Sequence, residues 1–240
     1  MIDLHCHLLP GIDDGPDELS EALALARHAV KSGIHTAVVT PHMQAGRYEN
    51  RAANIRLAVD HFAEALKAES IPLRLLPSAE VRLDHDILEW LSSDQVPFLG
   101  TWQGDRLILL EFPHSHIPVG SDKLVAWLLK QHIRPMIAHP ERNKDVLRNV
   151  DKIAPYVEMG CLLQVTAGSI AGNFGLPVQE RAADLLRRGW VTILASDAHN
   201  LEARPPELEP GRRAAAKLIG EAASWELVLF SPARIIGLTL

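Results

Sequence analysis

The chain has 240 residues, of which 47% are apolar, and a formal net charge of −6. This length and apolar content suffice for one buried core, so we expect a single domain over residues 1–240. The negative charge argues against nucleic-acid binding, which typically uses a basic surface. No apolar run reaches the roughly 18 residues of a membrane span, and the first residues lack a signal-peptide pattern, so a cytoplasmic protein is expected.

Short apolar or β-branched segments alternate with helical patterns along the chain. The predicted strands are residues 2–4, 36–40, 73–76, 107–110, 135–138, 162–166 and 192–195. The predicted helices are residues 17–31, 51–68, 121–131, 178–188 and about 212–230. Alternating strands and helices imply right-handed crossovers and a parallel sheet, and seven such units favour a closed barrel. We therefore predict an α/β fold, a single-domain distorted (β/α)7 barrel.

Histidines and carboxylates follow the predicted strands at their carboxyl ends, where barrel enzymes assemble their active sites. His5 and His7 are two residues apart, so an extended backbone directs both side chains to the same side. Cys6 then faces the other way. The donors after the later strands are His42, Glu80, Glu111, His139, Asp197 and His199. A single histidine of this kind is more often structural than a ligand, but the recurrence after successive strands favours a metal site.

The first loop carries two further carboxylates, Asp13 and Asp14. Gly11 and Gly15 flank them and permit a tight reversal that returns one carboxylate to the cluster. Mixed imidazole and carboxylate donors suit manganese, iron or zinc, and carboxylates can bridge neighbouring cations in hydrolytic sites.

Two arginines, Arg142 and Arg204, lie just beyond predicted ligands. A guanidinium group binds phosphate oxygens bidentately, so this pair indicates a tetrahedral anion as substrate, with surface salt bridges as the alternative. Arg47 and Tyr48, after His42, are candidate substrate contacts or ordinary surface residues.

Several motifs resemble the polymerase and histidinol phosphatase (PHP) superfamily, and within it the bacterial protein-tyrosine phosphatases of capsule and exopolysaccharide operons. The motifs are MIDLHCHLLPGIDDGP at the start, TPH at 40–42, AHPER at 138–142 and ASDAHN at 195–200. The similarity extends over essentially the whole chain. It implies a (β/α)7 barrel with two or three divalent metal ions, most often manganese, with iron or zinc as alternatives. The metal ligands that it implies are His5, His7, Asp14, His42, Glu80, Glu111, His139, Asp197 and His199.

The resemblance also implies a catalytic set and a partner. Arg142 and Arg204 match the phosphate-binding arginines of the family. We expect a metal-activated hydroxide to attack phosphorus, and metal-bound water, Asp197 or a histidine to serve as general acid where the leaving group is poor. The implied substrate is a phosphotyrosine-bearing bacterial tyrosine kinase that regulates polysaccharide synthesis. The loop after His42, residues 43–48, is less basic than in some relatives.

Other functions remain open at this point. A phosphatase of small metabolites such as histidinol phosphate, or a phosphodiesterase, uses the same barrel. An amidohydrolase commonly bridges its metals with a lysine after strand four, where this chain has Glu111. A non-catalytic metal-stabilised binding module is the remote alternative. The cysteine-phosphatase route requires an arginine six positions after the cysteine, and Ile12 and Ala167 occupy those positions for Cys6 and Cys161.

Overall fold

The computed structural model describes residues 1–239 and contains short strands separated by helices. The strands are β1 Ile2–Cys6, β2 Thr36–Val39, β3 His42–Gln44, β4 Tyr48–Glu49, β5 Arg74–Pro77, β6 Glu80–Arg82, β7 Gly100–Trp102, β8 Asp105–Glu111, β9 Ile133–Ala138, β10 Leu162–Thr166 and β11 Val191–Ala195. The helices are α1 Leu19–Lys31, α2 Ala52–Ala68, α3 Ile87–Ser92, α4 Ser121–Lys130, α5 Lys144–Arg148, α6 Ala154–Glu158, α7 Ala167–Ala171, α8 Leu176–Arg187, α9 Glu209–Ile219, α10 Glu221–Trp225 and α11 Ser231–Ile235.

Most of these strands pair in parallel. One sheet has the order β1-β2-β5, and a second has the order β11-β10-β9-β8-β6-β3. Two short antiparallel strands are added at β3 and β8, namely β4 and β7. The structure is therefore a mixed α/β fold with parallel sheets and flanking helices, as the alternating pattern predicts.

The two sheets meet at two places where consecutive strands are separated by only two residues. We call such a pair of consecutive strands one strand line. The chain passes from β2 to β3 through Thr40 and Pro41, and from β5 to β6 through Ser78 and Ala79. The Thr40 N–H donates to the Cys6 carbonyl at 2.9 Å, so strand-like pairing continues across the first interruption. On the other side, a parallel bridge joins Cys6 to Ala198, just after β11. The carboxyl ends of β1, β2 and β11 are thereby held side by side.

Both faces of the central strands are buried. In β8, Leu107 and Leu109 belong to one apolar cluster, and Ile108 and Leu110 belong to the other. This alternation is the period of two expected for a strand that packs on both faces. Ile235 of α11 packs in the smaller cluster, so the carboxyl-terminal helix covers one face of the sheet. Burying a leucine of this kind stabilises the fold by roughly 1.5–3 kcal/mol.

The predicted strands agree with β1, β2, β5, β8, β9, β10 and β11 to within a few residues, but the single helix predicted over 212–230 is wrong. The helix ends at Ile219, because Gly220 has φ of +88° and breaks the hydrogen-bonded ladder. Glycine adopts this left-handed region at little cost. A short helix and a π-helical turn, Glu226–Phe230, follow.

Across residues 1–239, no helix combines the length and apolarity needed to cross a bilayer.

Candidate metal centre

The predicted ligands converge at the carboxyl ends of the parallel strands. They surround a cleft of about 360 Å³ whose walls carry seven of the nine, namely Asp14, His42, Glu80, Glu111, His139, Asp197 and His199. The other two, His5 and His7, are buried and belong to a donor group with Glu80 and Asp197. The site forms here because β1, β3, β6, β8, β9 and β11 all end or begin at this edge.

Four of these residues form a compact set that we name the first donor group: His5, His7, Glu80 and Asp197. The two Nε2 atoms are 3.3 Å apart. Glu80 Oε2 lies 3.3 and 3.4 Å from them, and Asp197 Oδ1 lies 3.3 and 3.5 Å from them. Four nitrogen and oxygen donors at about 2.0–2.1 Å from one ion stand roughly 3.3–3.4 Å apart in a tetrahedral arrangement. The spacing of the first donor group fits a divalent metal ion.

The opposite side of each imidazole in this group is anchored. His5 Nδ1 lies 2.9 Å from Gln164 Oε1, and His7 Nδ1 lies 2.6 Å from Asp13 Oδ2. Both Nδ1–H groups therefore donate to oxygen, and both Nε2 atoms face the centre of the group. Anchoring of this kind fixes the tautomer and orientation of a metal-binding histidine.

Electrostatics in the first donor group favour a positive charge. Burial opposes protonation of His5 and His7, but the neighbouring carboxylates outweigh it and raise the pKa of both rings. Burial also opposes ionisation of Glu80, yet the surrounding histidines hold its pKa well below the usual range. Such a group requires a cation, which protons or a metal ion can supply.

Two further sets of donors overlap with the first. The second donor group is His42, Glu80 and Glu111, and the third donor group is His7, Asp14, His42 and His199. Three buried donor atoms in these groups, Glu80 Oε2, His42 Nδ1 and His199 Nε2, have no hydrogen-bond partner within residues 1–239. A buried polar atom without a partner costs about 1–3 kcal/mol, so the residues present suit bound ions at these positions.

The ninth predicted ligand, His139, lies beside Glu80 and outside the three groups. Its Nε2 is 2.7 Å from Glu80 Oε1, and its backbone N–H donates to Gln164 at 3.1 Å. Burial and the Arg142 guanidinium lower the pKa of His139 to about 4, so the ring is neutral near pH 7. A neutral imidazole retains the lone pair that a metal requires. Its assignment as a ligand stays a prediction.

Two residues at the site have left-handed backbones although neither is glycine. His139 has φ of +32° and Asp197 has φ of +51°. This conformation costs roughly 1–3 kcal/mol per residue and persists where the surrounding contacts enforce it. Both residues lie in the first turn after a strand, where the backbone redirects a side chain into the cleft.

The two predicted phosphate-binding arginines meet at one carboxylate oxygen. Arg142 Nη2 lies 2.5 Å from Asp197 Oδ2, and Arg204 Nη1 lies 3.8 Å from the same atom. Arg142 is buried, whereas the Arg204 side chain is 28% exposed. Although burial opposes ionisation of Asp197, Arg142 and His5 hold its pKa well below the usual range. Both guanidinium groups are therefore held at the cleft by the residue that also serves the first donor group.

The loop after β1 contributes both of its carboxylates. Asp13 accepts hydrogen bonds from His7 Nδ1 and from the backbone of His42 and Gly15. Asp14 Oδ1 lies 3.3 Å from Nε2 of His42 and 3.3 Å from Nε2 of His199. Gly15 is required because a Cβ there would lie 2.5 Å from the His7 carbonyl oxygen. The sequence predicted that one of these two carboxylates lies at the site. In the structure both do, and they make different contacts.

Two residues at the site were not assigned a role from sequence. Arg82 lines the cleft, with Nη1 2.9 Å from Glu111 Oε2. It follows Glu80 by two residues in β6, a same-face spacing that was an available signal. Gln164 of β10 is fully buried and accepts from both His5 and His139. A buried amide in the middle of an apolar strand was the signal there.

Neither cysteine resembles a catalytic nucleophile. Cys6 is buried with Sγ directed to the Val38 carbonyl, away from the donors, and burial raises the pKa of its thiol. Burial likewise raises the pKa of Cys161 to about 12. Thiols of this kind are rarely ionised near neutral pH.

Comparison with known proteins identifies relatives over nearly the whole chain. The family model described as capsular polysaccharide synthesis, CpsB/CapC, matches residues 1–237. The chain is 38% identical to the tyrosine-protein phosphatase YwqE of Bacillus subtilis over 204 residues, which are 85% of this chain and 79% of that protein. It is 30% identical to the tyrosine-protein phosphatase CpsB of Streptococcus pneumoniae over 245 residues, 98% of each protein.

A solved structure shows the same similarity in three dimensions. It belongs to the crystal structures of YwqE from Bacillus subtilis and CpsB from Streptococcus pneumoniae, described as unique metal-dependent tyrosine phosphatases. The match has a TM-score of 0.91 and 33% identity, and it covers 100% of this chain and 96% of the other. The resemblance to capsule tyrosine phosphatases is confirmed, and the chain belongs to the CpsB/CapC capsular polysaccharide synthesis family.

Proposed function

We propose that this protein is a metal-dependent protein-tyrosine phosphatase. The observation that carries the proposal is the first donor group, in which two histidine nitrogens lie 3.3 Å apart and each lies 3.3–3.5 Å from both carboxylate oxygens. Two arginines stand beside this group on Asp197. A cation site next to two guanidinium groups suits a phosphate monoester. The relatives named as tyrosine-protein phosphatases support the choice of phosphotyrosine.

The finer architecture that we propose is a distorted (β/α)7 barrel for the single domain predicted over residues 1–240, of which Leu240 lies outside the described residues. Seven lines of parallel strand support it, with β2 and β3 forming one line and β5 and β6 another. The bridge between Cys6 and Ala198 supports closure between the first and last lines. A closed arrangement accounts for donors from distant strands meeting in one cleft.

We propose two or three divalent ions, with manganese as the first to test and iron or zinc as alternatives. The residues that would hold them are His5, His7, Asp14, His42, Glu80, Glu111, His139, Asp197 and His199. When bound, the ions supply Lewis-acid charge and acidify a water molecule for attack on phosphorus. The sharing of Glu80, His7 and His42 between donor groups supports neighbouring ions.

The chain's own residues position and neutralise the phosphate group. Arg142 is buried and held by Asp197, so its guanidinium is preorganised toward the cleft. The more exposed Arg204 approaches from the loop after β11. Although burial opposes its ionisation, the Arg142 guanidinium and His5 hold the pKa of Asp197 well below its usual range, which favours the roles of ligand and arginine anchor over that of general acid. A tyrosinate, with a pKa near 10, leaves without a strong acid more readily than an alkoxide does.

The physiological partner that we propose is a phosphotyrosine-bearing bacterial tyrosine kinase that regulates capsular or exopolysaccharide synthesis. The description of the family as one of capsular polysaccharide synthesis supports this partner. A cytoplasmic location remains a prediction from sequence.

The proposal is tested by stripping the protein with a chelator and adding back single metals. Phosphate release is then measured from a phosphotyrosine peptide, a matched phosphoserine peptide and histidinol phosphate. We expect manganese to restore hydrolysis, with phosphotyrosine as the best substrate. Preference for histidinol phosphate would refute the tyrosine-phosphatase assignment. Absence of turnover with every metal would refute the assignment of the protein as an enzyme.

A further inference from the structure

Arg47 lies at the rim of the cleft, in the hairpin turn between β3 and β4. Its backbone N–H donates to the Gln44 carbonyl at 3.1 Å, and Gly46 before it has φ of +74°. The side chain is exposed and lines the same cleft as the predicted ligands. The turn therefore presents a guanidinium group beside the entrance to the site.

Among the described residues, Arg47 differs from the other arginines of the cleft in having no carboxylate partner. Arg142 and Arg204 face Asp197, and Arg82 faces Glu111. Within residues 1–239, no carboxylate oxygen lies within 4.0 Å of the Arg47 guanidinium. Its charge is therefore available to an anion that enters the cleft.

The nearest carboxylate in sequence is already occupied. Glu49 accepts from the Gly46 backbone at 2.6 Å and from Arg51 Nη2 at 2.9 Å. These contacts fix the hairpin turn and direct Glu49 away from Arg47. The turn is thus ordered without using the charge of Arg47.

An aromatic stack holds Arg47 in place. The Tyr48 ring stacks on the His42 ring, with centroids 5.4 Å apart and an interplanar angle of 13°. The Arg47 guanidinium carbon lies 4.8 Å from the centroid of Tyr48. A guanidinium on an aromatic face keeps its N–H edges free for hydrogen bonds while losing less side-chain freedom on binding. The stack links the rim to His42 at the site.

We propose that Arg47 forms a subsite for an acidic residue next to the phosphotyrosine of the substrate polypeptide. The inference rests on the proposed function, because it assumes that a phosphotyrosine occupies the cleft. Arg142 and Arg204 are the arginines proposed to bind the phosphate group, so Arg47, which has no carboxylate partner among residues 1–239, is left at the rim for the polypeptide around it. The chemistry recognised is a carboxylate, which suits a guanidinium.

The test compares phosphotyrosine peptides that differ only in the residues directly before and after the phosphotyrosine, either glutamate, glutamine or lysine. The measured quantity is the ratio of kcat/KM for the glutamate peptide to that for the glutamine peptide. At low ionic strength we expect a ratio of about three to five for the wild-type protein, typical of one exposed charge pair. We expect Arg47→Gln to bring the ratio close to one, and Arg47→Glu to favour the lysine peptide.

Arg56→Gln is the matched control, because Arg56 is an exposed arginine on α2 without an ion pair in the described residues. It removes the same charge and should keep the wild-type ratio. A wild-type ratio of one would overturn the proposal. An Arg47→Gln variant that loses activity equally on both peptides would overturn it too, since Arg47 would then serve the phosphate or the fold.

Failure of the Arg47 subsite can be distinguished from failure of the tyrosine-phosphatase assignment. If no peptide is hydrolysed under any metal, the tyrosine-phosphatase assignment fails. The same ratio is then measured as peptide affinities by fluorescence anisotropy, where selectivity that depends on Arg47 would support the subsite and equal affinities would refute it.

Discussion

The first and third donor groups differ in how firmly their residues are held. In the first donor group, all four side chains are at most 2% exposed and lie in a parallel strand or within two residues of its end. In the third donor group, Asp14 lies in a loop and its side chain is 36% exposed. The two groups share His7 but occupy environments of different rigidity.

This difference has a consequence for metal binding. Preorganised donors in a buried site lose little conformational entropy when an ion binds, whereas a loop residue must be ordered. We therefore expect the ion at the first donor group to bind more tightly and to exchange more slowly than the ion at the third.

The largest effect is expected for Asp197→Asn. Asparagine tolerates the left-handed backbone of this position, so we expect the fold to be retained while the charge of a proposed ligand and of the partner of Arg142 is lost. We expect kcat/KM for a phosphotyrosine peptide to fall about 10²–10³-fold, and metal analysis to show loss of the tight ion. Asp184→Asn, which removes an outlying carboxylate that pairs with Arg181 and Arg188, is the control. Equal activities of the two variants would contradict the assignment.

Gln164→Leu tests the anchor of the first donor group. The leucine removes the acceptor for His5 Nδ1 and for the His139 backbone without touching the proposed ion. We expect about a 10- to 100-fold loss of manganese affinity, measured by competition with a fluorescent chelator.

The control for that variant is Gln179→Leu, which removes an amide that donates to the Ile170 carbonyl outside the cleft. If Gln164→Leu changes only thermal stability and leaves the metal affinity intact, Gln164 supports the core and does not position His5.

Asp14→Asn probes the third donor group. We expect kcat/KM to fall by about tenfold, corresponding to about 1.4 kcal/mol, and the number of tightly bound ions to fall by one or less. The tight ion of the first donor group should remain after gel filtration. A decrease in kcat/KM as large as that of Asp197→Asn would show that Asp14 in the exposed loop is as important for activity as the buried first donor group.

The smallest effect is expected for the cysteines. With the pKa of Cys161 raised to about 12, only about 10⁻⁴ of its thiol is ionised at pH 8, and Cys6 is also buried with a raised pKa. Iodoacetamide at pH 8 should therefore leave phosphatase activity within about twofold of the untreated protein. Rapid inactivation that substrate prevents would favour a cysteine mechanism over the metal site.

The sequence predicted that the donor residues of the site lie at the same end of the strands. His5 and His7 share a side because a strand has a period of two, and later donors follow other strands at the same end. The contacts of Asp13 could not be predicted from the sequence, because Asp13 and Asp14 are adjacent and chemically identical. Only the folded loop separates the one that holds His7 from the one that faces His42 and His199.

Local periodicity was less informative where a single glycine or the neighbouring strands override it. The segment 212–230 has helical periodicity throughout, yet Gly220 divides it. The strands β3 and β6 were missed because each is three residues long and lies beyond an interruption in a longer line. Short elements of this kind are stabilised by their neighbours in the sheet.

The sequence by itself determined the alternation of strands and helices, the types of donor residue and their place at the strand ends, because these depend on local periodicity and on side-chain chemistry. The tertiary structure decided which donor atoms face one another at 3.3–3.5 Å, that Gln164 anchors His5 and that Arg82 faces Glu111. It also decided that Arg47 lies at the rim with no carboxylate partner in the described part of the chain, residues 1–239. These pairings join residues far apart in the chain, and their distances depend on the register of strands that only the packed sheets define.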